Sequence, residues 1–66
     1  MNYRALRGLI REIYGTQAPF ADALGMSYGT LSRKLMGSVE WKASEIRKAC
    51  EVLNISPEQI PRYFFS

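Results

Sequence analysis

Residues 16–37, TQAPFADALGMSYGTLSRKLMG, decide the fold. Thr16 is placed to cap a helix that begins at Gln17, and Phe20, Ala21 and Leu24 fall on one face of it at helical spacing. Gly25 follows the last apolar residue, where a left-handed cap is expected, and Met26 supplies an apolar plug as the chain turns. Ser27 restarts helix, Leu31 and Leu35 give the new helix its buried face, and Gly37 marks its end. The small Ala21 sits where two such helices would cross. The spacing predicts two short helices joined by a tight turn, a helix-turn-helix over 16–37.

Working outward, residues 2–14 predict a first helix with Asn2 as its N-cap and Tyr3, Leu6, Ile10 and Ile13 along one stripe, ended by Gly15. Arg4, Arg7 and Arg11 share a second face, read either as a solvated basic face or as an approach to a phosphate backbone. Gly8 inside this helix costs about 1 kcal/mol relative to alanine, which suggests close helix packing there or tolerated slack. On the other side, Ser38–Lys42 reads as a loop that returns Trp41 to the body. A core anchor is the better reading of this single tryptophan than base stacking, because no second aromatic is near it in sequence.

Ala43–Leu53 predicts a fourth helix with Ile46, Ala49, Cys50 and Leu53 on its inner face, making Cys50 a buried thiol. Ser56-Pro57-Glu58-Gln59 is a capping-box sequence with proline at the first helical position, so a fifth helix starts there. Pro61 then forces a break or a fresh turn. Tyr63, Phe64 and Phe65 close the chain, and at least one must pack on the core; the others are candidate dimer contacts.

The whole is one all-α domain over 1–66, near the size where a single core barely suffices: 66 residues, 47% hydrophobic. A lone cysteine excludes an internal disulfide, and neither a signal peptide nor a membrane span is visible, so a cytoplasmic protein is expected. The net charge of +3 favours a polyanionic partner without establishing one. There is no histidine and no glycine-rich phosphate loop after a strand, and the six carboxylates are scattered among basic partners. No metal, no cofactor and no catalysis are expected.

From Leu6 to about Leu53 the chain resembles the phage repressor/Cro-type helix-turn-helix (xenobiotic response element-like) superfamily, with TQAPFADALGMSYGTLSRKL carrying most of the match. The tail EVLNISPEQIPRYFF resembles a small phage and prophage regulator subgroup. The resemblance implies a five-helix lambda-repressor-like fold and a transcriptional regulator whose third helix enters the major groove of operator DNA, as half of a homodimer with recognition helices about 34 Å apart. It implies base contacts from Tyr28, Gly29, Ser32 and Arg33, and phosphate contacts from Gln17, Ser27, Thr30 and Lys34. Arg33 is the strongest candidate, because a bidentate pair with guanine discriminates by about 1–3 kcal/mol. Lys42 is a further phosphate candidate.

Three positions depart from the family pattern. Ile10 and Leu35 stand where many members pair a buried arginine with a glutamate, so an apolar contact is expected to replace that ion pair. Lys34 replaces an apolar residue, and its stem is expected to snorkel over the core with the ammonium toward a phosphate. Pro19 falls in the first turn of the second helix, where its missing N–H costs little.

The alternative function is an interaction protein, a co-repressor or anti-repressor that binds another phage repressor. Residues 16–37 carry only +1, from Arg33 and Lys34 against Asp22, which is little charge for tight DNA binding. Salt separates the two: affinity through phosphates falls with a slope near about −0.9 per phosphate neutralised.

Overall fold

The computed structural model describes residues 2–65. The helices are α1 (Arg4–Tyr14), α2 (Gln17–Leu24), α3 (Tyr28–Leu35), α4 (Ala43–Leu53) and α5 (Ile60–Phe64), with a 3₁₀ turn at Pro57–Gln59 leading into α5. Among the described residues there is no strand. The body measures 27 × 23 × 21 Å.

Each helix contributes to a common core: Leu6 and Ile10 from α1, Phe20 and Ala21 from α2, Leu31 and Leu35 from α3, Ala49 and Leu53 from α4, and Phe64 from α5, with Ile55 beneath them. Ile10 and Leu35 are both buried, as expected of an apolar substitute for an ion pair. Ile13 departs from the expected stripe. It is 46% exposed, and Leu9 and Tyr14 pack against the core instead.

The turn between α2 and α3 forms as the spacing predicts. Gly25 takes φ +73°, its N–H donates to Asp22 O at 3.1 Å, and the Met26 N–H donates to Ala21 O at 3.1 Å. These are the two bonds of a Schellman cap, and Met26 packs against the core beneath it. Asn54 closes α4 by the same pair of bonds at φ +58°, turning Ile55 inward. Gly37 does so for α3, past a helix that ends at Leu35.

At the start of α3 the Ser27 Oγ accepts from the Thr30 N–H at 3.1 Å. Ser27→Ala is expected to lower the unfolding free energy by about 1 kcal/mol, read as a shift of the urea midpoint without change of slope. Thr16 occupies the cap position of α2 as expected, but its side chain makes no capping bond.

Other details differ from the sequence reading. α1 begins at Arg4, because Tyr3 adopts φ +54° as its cap and turns its ring onto Trp41, 6.4 Å between centroids. Asn2 still serves the helix end, its Oδ1 accepting from the Arg4 N–H at 3.0 Å. Among the described residues nothing packs on Gly8: a Cβ there would meet no atom within 4 Å, so close helix packing is not its reason. Cys50 is half-buried rather than buried, facing a groove between α4 and the tail, and burial pushes its thiol pKa up. Of the two outcomes expected at Pro61 the fresh turn is the one that forms, starting one residue earlier at Ile60, with the proline in the first turn of α5, where no N–H is needed.

Trp41 is the anchor that the sequence suggested. Its indole stands edge-on to Phe64, 5.2 Å between centroids at 81°, and its buried Nε1 has no hydrogen-bond partner among the described residues.

Candidate functional site

The chain between Gln17 and Leu35 brings most of the residues singled out in the sequence onto α3 and the N-terminus of α2. Tyr28, Gly29 and Arg33 are exposed, and Ser32 and Thr30 are half-buried. Gln17 and Ser32 meet directly: the Gln17 Nε2 donates to Ser32 Oγ at 2.6 Å. A glutamine expected on phosphate and a serine expected on a base thus satisfy one another across α2 and α3.

Arg33 folds back along its own helix. Its Nη2 donates weakly to Thr30 Oγ1 at 3.5 Å, and its Nη1 lies 3.6 Å from where a Gly29 Cβ would be. That is ordinary contact distance, so the guanidinium does not depend on a glycine at position 29. Thr30 is also engaged by Ser27, whose hydroxyl donates to Thr30 Oγ1 at 2.9 Å.

Lys34 is a correction. It is 3% exposed, and its ammonium is held inside by the Glu45 carboxylate at 2.9 Å and by the Glu40 carbonyl at 2.9 Å. It has no reach toward a phosphate. The cause is the first turn of α4, where the Glu45 Oε1 also accepts from the Lys42 N–H at 2.8 Å and so is fixed beside the Lys34 stem. A charge that far from water requires such a partner. Burial raises the Glu45 pKa, but the Lys42 amide and the Lys34 ammonium outweigh it and hold the carboxyl below its ordinary value.

With Lys34 neutralised internally, the exposed charge on 16–37 reduces to Arg33 against Asp22. Lys42 is exposed and caps α4 through its backbone.

Phe64 is a second correction. It is 2% exposed and belongs to the core, so it cannot be a dimer contact. Tyr63 is half-buried beneath the Arg62 guanidinium, 5.6 Å from the ring centre, and Phe65 is 65% exposed. Tyr28, Met36 and Val39 are further exposed apolar side chains at the two ends of α3 and in the loop after it.

Sequence reasoning missed Glu45 as the partner of Lys34. Its signal was its place three residues after the loop's end, where a capping glutamate belongs. Among the described residues no group of three or more His, Cys, Asp or Glu could hold a metal ion, and no helix is long and apolar enough to cross a membrane.

A family described as "Protein of unknown function (DUF739)" matches residues 1–66. The chain belongs to that family. Among solved structures, the chain is similar to the solution structure of the modulator of repression (MOR) of the temperate bacteriophage TP901-1 from Lactococcus lactis. The identity is 49%, the alignment covers 98% of this chain and 88% of that one, and the TM-score is 0.86. Comparison with curated proteins found no match. What stands of the expected kinship is this family and this structural likeness, and the wider Cro-type superfamily does not figure in them.

Proposed function

We propose that the chain is a phage regulator that acts by binding a repressor protein, without catalysis, in the cytoplasm where repressor and operator meet. The observation that carries this reading is the 49% identity, over nearly the whole chain, to a modulator of repression. Charge supports it: the α3 face offers one arginine, and the lysine that would have doubled its positive charge is paired in the interior.

The competing reading is an operator-binding homodimer that uses α2 and α3 as a helix-turn-helix, with Tyr28, Gly29, Ser32 and Arg33 toward bases. The Schellman turn at Gly25 and the Ser27 cap favour that description of the local fold. The same motif serves equally well as a rigid mount for a protein contact.

Two measurements separate them. The repressor encoded nearest to this chain in its genome is expected to bind it in isothermal titration calorimetry. The chain alone is expected to enrich no sequence from a randomised duplex library at about 50 mM salt, where phosphate contacts still contribute strongly. Enrichment of a palindrome by the chain alone, with no heat on mixing with the repressor, would reverse the assignment.

A further inference from the structure

Three arginines on α1 stand around a glycine. Arg4, Arg7, Gly8 and Arg11, with Asn2, line one concavity of about 410 Å³ on the outer face of the helix. All are exposed, and none of the three guanidiniums has a carboxylate partner among the described residues.

Two features of this face work against the helix itself. Arg7 and Arg11 are like charges at i and i+4, which repel. Gly8 is a poor helix former in the middle of an exposed turn, and no neighbour needs its missing side chain. Together they make a recess: the bare backbone at Gly8 is the floor, and the guanidiniums are its walls.

We propose that this recess is a docking site for an acidic face of the partner protein, with an aspartate or glutamate side chain seated over Gly8 between the arginines. The inference rests on the reading of the chain as a repressor-binding protein and names the chemistry of that contact. Guanidinium forks match carboxylates bidentately, and a wall of three gives charge complementarity to an acidic surface and to nothing neutral.

A DNA backbone fits less well. The arginines enclose a concavity of about 410 Å³, which suits a projecting side chain, whereas a duplex presents a broad convex surface.

The test is a set of titrations followed by ¹⁵N NMR at the Gly8 amide and the arginine Nε groups. The probes are the neighbouring repressor, a glutamate-rich helical peptide and a mixed-sequence 16-base-pair duplex. The expected result is that repressor and peptide both shift Gly8 and the arginines, and that Arg7→Gln/Arg11→Gln weakens repressor binding by about tenfold or more. The salt dependence of association should fall with it. Gly8→Ala should raise the melting temperature by about 4–8 °C and yet weaken binding by about threefold or more, a combination that a merely tolerated glycine would not give.

If the repressor binds wild type and both variants alike, the docking site is wrong and the repressor-binding function stands. If the acidic peptide occupies the recess while the repressor does not bind at all, the function is wrong and the acidic site stands. Tighter binding of the duplex than of the peptide at these same residues overturns the proposal in favour of nucleic acid.

Discussion

Glu45→Ala is expected to lower the unfolding free energy by about 2–4 kcal/mol, among the largest losses that any exposed or half-exposed position in this chain can produce. The carboxylate does two things at once. It accepts the Lys42 N–H at the start of α4 and holds the ammonium of Lys34, which is 3% exposed. Truncation leaves a buried cation with only the Glu40 carbonyl for company. Since a domain of this size rarely holds more than about 3–5 kcal/mol from a single core, urea titration followed by circular dichroism should find the variant largely unfolded.

Lys34→Met should behave differently. It removes the charge and keeps the length of the stem, so a change within about 1 kcal/mol, of either sign, is expected. Equal losses in the two variants would mean that the ion pair itself is stabilising, and that the uncompensated charge is not the cause.

The same carboxylate gives the pH dependence. Its folded pKa lies below its ordinary value of 4.5, so its contribution is fully present above that value and is lost as pH falls through the folded one. Stability of the wild type should therefore decline in acid below about pH 4.5, and Glu45→Gln should flatten that decline in urea midpoints measured between pH 7 and pH 3.

The turn at Gly25 and the cap at Ser27 could be read from the sequence because both are local: a φ of +73° needs glycine, and a helix start needs a side-chain oxygen. Long-range pairing is a different matter. Lys34 on α3 meets Glu45 on α4 through the fold of the intervening loop, and the sequence reading, which laid the lysine stem over the core, sent its ammonium toward a phosphate for want of that partner. The link between Gln17 and Ser32 escaped for the same reason, since each looked like a free polar group on its own helix. The arginines of α1 could be placed on one face from their spacing, but not the concavity they form, because that depends on nothing packing over Gly8.

The aromatic tail shows how far helical spacing can go. Three consecutive aromatics on a helix point about 100° apart, so only one can face the core squarely, and Pro61 resets the phase that would have told which. Phe64 is the one, edge-on to Trp41, while Phe65 is left in water. Phe64→Ala is accordingly expected to cost about 3–5 kcal/mol, enough to unfold the domain, with loss of the buried emission of Trp41. Phe65→Ala should stay within about 0.5 kcal/mol of wild type in the same urea titration. The contrast is sharp because the two residues are identical and adjacent, so composition and local propensity cancel and only burial differs. A loss above about 1.5 kcal/mol on Phe65→Ala would place both rings over the core, and Phe65 would no longer be open to a partner.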